Sequence, residues 1–445
     1  MSGLPHGASS VAPAGGAGHA ARAPFEGPVR HVYVHVPFCR ARCDYCAFAS
    51  EGVACEAGGR AGAEVARRLD EFVDCIAAEW ERERAAHDVR RVRTLYLGGG
   101  TPSLLGPDRL ERLLELFRPH LTPHAEVTVE TNPEDADDAY AAWAAGVQTS
   151  AAPGAGCGVR ISLGVQSFSA KLRAVLGRTG LADPAAAFGR LRRAGVRNAG
   201  VDLMHGIPGQ TPELLGADIG AVLELRPDHV SWYELDLVEG TALAARLERG
   251  ARKALRGGPG GRGGAASADD LETDATPVDP MDDVRAAGYR RIVRELGRAG
   301  YDWYEVSNFA LPGCKARHNA AYWRARPYLG LGPGAVSTVG ARRWRNEPDA
   351  AAWAAALTAS VEPPRTCEAL DPATAARERL MLAAPCGERD ALAEVAAVLD
   401  RDAAAGLTRA GLVSLHSGTI RVTRKGRHVA DEVIVRLFRA PRLRG

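Results

Sequence analysis

Residues 32–50 read VYVHVPFCRARCDYCAFAS, and the remainder of the chain takes its meaning from this stretch. Val32, Val34 and Val36 alternate with Tyr33 and His35, a period of two in β-favouring residues that predicts a strand. Pro37 ends it, because proline brings no backbone N–H to a sheet ladder. Three cysteines follow in the spacing C-x3-C-x2-C: Cys39, Cys43 and Cys46. Three thiolates on one short loop suit three irons of a [4Fe–4S] cube, which leaves the fourth iron an open coordination position. The competing reading is a four-ligand zinc site, with Cys55 or His35 completing the set.

Moving outward, Val65, Leu69, Phe72, Val73, Ile76 and Trp80 fall on one face of a helix over 64–80. Strands are expected at 92–97, 126–130, 159–165, 199–204 and 229–235. Helices at 107–117, 135–145, 184–194 and 212–225 separate them. The strand starts recur at roughly 30–40 residues, the length of one βα unit. Six such units rather than eight predict an α/β fold, an incomplete (β/α)6 TIM-like barrel over 29–245. Residues 1–28, rich in Ala, Gly, Pro and Ser, read as a disordered leader without the apolar core of a signal peptide. Residues 246–281, containing RGGPGGRGGAASADD, read as a flexible insertion, and Gly146 to Gly158 as a smaller one. An extension over 282–365 begins with a helix at 283–298 and a strand-like run at 303–309. Residues 366–445 show helices, a hairpin over 412–422 turning at His416-Ser417-Gly418, and a last helix. That order predicts a mainly helical, winged-helix-like domain.

The 445 residues are 46% hydrophobic and 25% charged, with a net charge of +2, so nothing draws the whole chain toward nucleic acid. Nine cysteines, an odd and scattered count, do not form a disulfide framework and suit a reducing, cytoplasmic location. No apolar run reaches the length of a membrane span.

In parallel barrels the functional groups gather at the carboxyl ends of the strands. The cysteines follow the first expected strand, and Gly98-Gly99-Gly100-Thr101-Pro102 follows the second. Glu130 closes the third, Gln166 closes the fourth with Arg178 beyond it, and Asp202 lies on the fifth. Each has a plainer reading: the glycines as an ordinary βα turn, and Glu130 as a helix N-cap partner. Gly330 to Ala335, GLGPGA, fits a dinucleotide fingerprint formally, but no convincing strand precedes it and Pro333 interrupts it, so it reads as a turn.

The motifs HVPFC-x3-C-x-YC, YLGGGTPS, VETNP, SLGVQSF, VDLMHGIPGQT, HVSWYELDLVEGT, YEVSNFALPG, RHNAAYW and YLGLGPGAVS occur in this order. Together, from about Tyr33 to Val336, they resemble the haem chaperones of the radical S-adenosylmethionine (SAM) family. The resemblance implies that Cys39, Cys43 and Cys46 ligate the [4Fe–4S] cluster. It further implies that Tyr33, Tyr45, Gly99, Gly100, Thr101, Glu130, Gln166, Arg178 and Asp202 contact SAM. His318, in a stretch with Tyr322 and Trp323, matches the motif implicated in haem binding. Its partners would be haem and the respiratory proteins that accept haem. The alternative is the related oxygen-independent coproporphyrinogen III oxidase, which carries a further cysteine where this chain has Phe48. A zinc-bearing binding module is the second alternative. The chain departs from the family pattern at Gly180, in the 256–280 insertion, and at Ala383-Ala384-Pro385-Cys386. The tail from Arg421 to Gly445, with eight basic residues against two acids, reads first as the solvated face of a small domain, the alternative being a peripheral contact with an anionic membrane. Homodimerisation and productive SAM cleavage are left open by these residues.

Overall fold

The computed structural model describes residues 24–53, 59–150, 159–180, 182–256, 280–387 and 390–438. Most of the expected leader, Cys55, residues 151–158 and residues 257–279 lie outside them. Within them, Phe25 at the end of the expected leader is buried against Ala325 and Leu370, and residues 246–256 of the expected flexible insertion are helical. Six strands lie side by side in chain order and run parallel: β1 (His31–Val36), β2 (Val92–Gly99), β3 (Leu121–Thr131), β4 (Val159–Gln166), β5 (Asn198–His205) and β6 (His229–Glu234). The crossovers carry α1 (Gly59–Ala86), α2 (Gly106–Phe117), α3 (Asp138–Ser150), α4 (Pro184–Ala194) and α5 (Pro212–Leu225). Helix α3 takes up residues 146–150, the start of what the sequence suggested was a surface insertion.

Parallel strands covered on both faces ordinarily read as near-continuous apolar runs. Here they alternate. Val32, Val34, Val36, Leu95, Leu97, Val129, Ile161, Leu163, Val201 and Leu203 are buried and join the core beneath the helices. The opposite face carries Tyr33, His35, Thr94, Tyr96, Glu126, Thr128, Glu130, Arg160, Ser162, Asp202, His229 and Ser231. The register places Tyr33 beside Tyr96, Tyr96 beside Thr128 and Glu130 beside Ser162, so these groups form one polar inner surface. A large share of polar groups on a concave inner face marks a ligand chamber rather than a packed barrel core.

Beyond α6 (Ala242–Arg256) and α7 (Pro280–Arg298), the chain extends both edges of the sheet, with the short helices α8 (Arg317–Trp323) and α9 (Ala350–Thr358) between the added strands. At the β6 edge the expected run 303–309 is two antiparallel strands, β7 (Asp302–Glu305) and β8 (Asn308–Ala310). The Glu305 carboxylate makes the turn between them by accepting from the Ser307 N–H at 2.9 Å and Asn308 Nδ2 at 2.6 Å. At the other edge β9 (Tyr328–Leu331) runs parallel to β1, followed by β10 (Val336–Val339), β11 (Arg342–Asn346) and β12 (Arg365–Ala369). The reading of Gly330 as part of a turn is therefore corrected. Gly330 sits in a strand because it pairs with Tyr33 of β1, and it is a glycine at a point where a Cβ would lie 2.2 Å from the Val336 carbonyl oxygen. The twelve-stranded sheet stays open, so the incomplete-barrel expectation holds.

The C-terminal unit contains α10 (Pro372–Ala383), α11 (Leu392–Val395), α12 (Arg401–Arg409) and α13 (Ala430–Leu437). They pack with a small sheet of β13 (Asp390–Ala391), β14 (Val413–His416) and β15 (Thr419–Val422). It has its own core, including Leu380, Val395, Leu407, Ile420, Val433 and Leu437. No helix among the described residues is long and apolar enough to cross a membrane.

Candidate cofactor and ligand site

The cysteine loop is held at both ends by backbone hydrogen bonds. Glu51 N–H donates to the Pro37 carbonyl at 2.8 Å and Val53 N–H to the Cys39 carbonyl at 2.7 Å. Midway, Asp44 N–H reaches the Leu176 carbonyl at 3.0 Å, and Arg246 pairs with the Asp44 carboxylate. Cys39, Cys43 and Cys46 are half-buried free thiols. Burial pushes the Cys39 and Cys43 thiols up, and each also feels its neighbours in the trio. Among the described residues no group of three or more His, Cys, Asp or Glu side chains is arranged to hold a single metal ion. Three thiols spread along one loop fit a cluster, in which each thiolate binds a different iron. Ligation would draw the protons off these thiols.

The glycine turn at the end of β2 braces this loop. Gly99 has φ of +106°, and a Cβ there would lie 2.5 Å from the His35 ring. A Cβ on Gly100 would lie 2.6 Å from the Phe38 carbonyl oxygen and 2.8 Å from that of Val36. In return the Gly100 N–H donates to the Val36 carbonyl and the Thr101 N–H to the Phe38 carbonyl, both at 2.7 Å. Thr101 Oγ1 also approaches Cys39 Sγ at 3.7 Å. The His35 ring beneath is fixed in turn, with Nε2 2.8 Å from the Ala49 carbonyl and Nδ1 3.0 Å from the Tyr33 hydroxyl. A carbonyl can only accept, so Nε2 carries the proton and Nδ1 accepts from Tyr33.

Glu130 caps no helix. Its carboxylate accepts from the Tyr96 hydroxyl at 2.7 Å and the Gly99 N–H at 3.1 Å. Burial nevertheless pushes its carboxyl up to about 7. Asp202 accepts from Ser162 Oγ at 2.9 and 3.0 Å, and burial raises it too. Arg178 donates to Asn132 Oδ1 at 3.1 Å and to the Gly164 carbonyl at 2.8 Å, and Asn132 donates to Thr101 at 3.0 Å. Tyr45 lies by Arg178 and Cys43, its hydroxyl pushed up to about 12 by burial, which Arg178 opposes. Gln166 is buried at a break in the β4–β5 register with φ of +64°, rare for a non-glycine residue. The Glu134 carboxylate fills the space beside Gly180, 1.8 Å from where a Cβ would be, so an acidic group stands where the family's side chain would project.

These residues share one end of the sheet; His318 lies deeper. It sits in α8 (Arg317–Trp323), whose first N–H groups, those of Arg317 and His318, both donate to the Glu126 carboxylate at 2.9 Å. This replaces a local N-cap. The His318 ring is buried, with Nδ1 2.7 Å from Thr94 Oγ1 and Nε2 3.0 Å from the Tyr322 hydroxyl. Burial drives it down to about 3, so it is neutral, the form in which imidazole ligates metals. It borders a cavity of about 540 Å³ lined also by Tyr33, Tyr96, Tyr322, Tyr328 and Phe48. Tyr96 joins the two regions, bonded to Glu130 and with its ring 5.1 Å from that of His318.

Sequence reasoning missed Tyr96, Asn132 and Arg160. Arg160 is fully buried on the inner face, and its Nε and Nη2 have no hydrogen-bond partner, as is true of Arg178 Nε. Buried donors without acceptors fit a ligand rich in acceptors, such as the carboxylate and ribose of SAM. An arginine inside the apolar run VRISL was the available signal.

A polar-faced partial barrel with three cysteines behind its first strand defines a radical SAM protein, and residues 33–219 match the radical SAM superfamily. The chain is 34% identical over 415 residues to the heme chaperone HemW of Mycobacterium tuberculosis, covering 93% of this chain and 95% of that one. It is 32% identical over 317 residues to the heme chaperone HemW of Escherichia coli, covering 70% and 71%. The chain belongs to the HemW family of haem chaperones. Its fold is also that of the E. coli coproporphyrinogen III oxidase HemN, with a TM-score of 0.68 and 22% identity over 92% of this chain and 90% of that one.

Proposed function

We propose that this chain binds haem in the aromatic cavity and passes it to acceptor proteins, with Cys39, Cys43 and Cys46 holding a [4Fe–4S] cluster and SAM lying against the glycine turn. The observation that carries the reading is the neutral, buried His318 on the wall of a cavity faced by four tyrosines. A neutral imidazole can bind haem iron through one nitrogen, and the tyrosine rings can pack the macrocycle. Tyr322 would release Nε2 for that purpose while Thr94 keeps Nδ1 oriented. When bound, the cluster and SAM supply one-electron chemistry. The chain's own part is to brace the cysteine loop with Gly99, Gly100 and Thr101. Glu130, Gln166, Arg178 and Asp202 present the polar contacts for SAM, with Tyr33 and Tyr45 beside them.

Phe48 is 65% exposed and lines the cavity, so the position that bears a further cysteine in the coproporphyrinogen dehydrogenases offers only an apolar ring here. The test is a haem titration of anaerobically purified protein alongside incubation with coproporphyrinogen III, SAM and a reductant. We expect a stoichiometric haem complex, a shifted Soret band in His318→Ala with cluster absorption unchanged, and no protoporphyrinogen. Turnover of coproporphyrinogen III, with haem binding indifferent to His318, would instead make this an oxidase.

A further inference from the structure

The cavity beside His318 has a second wall, made by β11 and α10. Arg343 and Arg345 both line it, while Trp344 and Asn346 are buried on the opposite side of the strand. Residues two apart on a strand lie roughly 6.6–7 Å from each other on one face. The two guanidinium groups therefore stand as a spaced pair at the edge of a mostly apolar space bounded by Phe25, Phe48, Tyr328, Met381 and Leu382.

The two arginines are engaged differently. Arg345 is exposed, its Nε reaching only the Gly334 carbonyl at 3.4 Å, and no carboxylate pairs with it among the described residues. Arg343 is gripped as a fork by the Glu378 carboxylate of α10, at 2.7 and 2.5 Å, with Glu368 further off at 3.7 Å. Glu378 itself lines the cavity. One anion-binding position is thus open, and the neighbouring one is filled by a carboxylate of the chain itself. A guanidinium fork matches carboxylate geometry. A ligand that suits this wall is a broad apolar ring bearing two carboxylates along one edge.

We propose that Arg345 and Arg343 anchor the paired propionates of a tetrapyrrole in this cavity, with Glu378 standing in for one propionate until the ligand arrives. This rests on the haem reading above and adds to it the residues that select a dicarboxylic porphyrin. Loading transfers Arg343 from Glu378 to the ligand and loosens the tie between β11 and the C-terminal unit.

The test compares haem with haem dimethyl ester, in which both propionates are masked, by Soret titration of the full-length protein. Wild type should bind haem more tightly than the ester. Arg345→Gln should weaken haem by about tenfold, the scale of one charge-assisted contact, and leave the ester unchanged. Glu378→Gln should tighten haem and not the ester, an outcome that a merely structural Arg343–Glu378 pair would not give. Equal affinity of wild type for haem and ester, or weaker haem binding in Glu378→Gln, would overturn the anchor assignment. If haem binding depends on His318 but not on Arg345, the haem reading stands and this proposal falls. If wild type binds no haem, both fall.

Discussion

Glu130 closes β3 with its carboxyl pushed up to about 7 by burial, although Tyr96 and Gly99 both donate to it. For a carboxyl raised in the folded state, the stabilising contribution is complete below the ordinary value near 4.5 and is lost as pH rises through about 7. The ionised form, strained by burial, is the one that gains from a cationic or hydroxyl donor on a ligand. SAM affinity should therefore fall as pH is lowered from about 8 to about 6. Glu130→Gln should bind SAM more weakly at the upper pH and show a flat profile. Calorimetry across that range decides the matter, since parallel profiles in the two proteins would remove Glu130 from the SAM contacts. Gln166 shows what a residue-by-residue reading cannot reach. Its place at a strand end was legible, but its left-handed backbone arises from the β4–β5 register break, which no side-chain type announces.

At the scale of elements, the glycine turn and the cysteine loop are one device. Gly100 lies so close to Val36 and Phe38 that a side chain would push β1 and the loop away from β2. Gly100→Val should therefore lower the iron content of reconstituted protein although all three cysteines remain. Iron content and cluster absorption equal to wild type would show that the loop does not need this brace. The alternation of Val32, Val34 and Val36 with Tyr33 and His35 made β1 readable from sequence, as did the βα spacing for the five strands after it. The glycines were readable as a turn near a ligand, yet their use against the protein's own backbone was not, because that contact is between β1 and β2. The strands after residue 280 were hardest to read. They pair with β1 and β6, far away in sequence, and Gly330 and the Val306-Ser307 turn look like loop residues without those partners.

Across the whole molecule, Glu79 on α1 holds the later strands against the barrel. It is fully buried and accepts from the Gly332 N–H at 2.7 Å, Asn346 Nδ2 at 2.7 Å and Trp353 Nε1 at 3.2 Å. Glu79→Ala leaves the Gly332 N–H and Trp353 Nε1 without an acceptor, while Asn346 Nδ2 keeps only the Gly332 carbonyl at 2.9 Å, and it should destabilise the fold by on the order of 3 kcal/mol. A lower melting temperature should be accompanied by faster amide exchange around 332–353. An unchanged melting temperature would mean that water or a neighbouring group takes over these donors. The open sheet also has two terminal strands, each a template on which another chain could build cross-β structure. At one end β12 is short, mostly exposed, preceded by Pro363-Pro364 and charged at Arg365 and Glu368. At the other, Arg427 of the C-terminal unit donates to the Trp303 carbonyl of β7 at 3.0 Å and stacks 4.3 Å from its ring. A sheet that leaves its mouth open for cargo is thus guarded at both margins against self-association, and removing the C-terminal unit would strip one guard and leave an aggregation-prone edge.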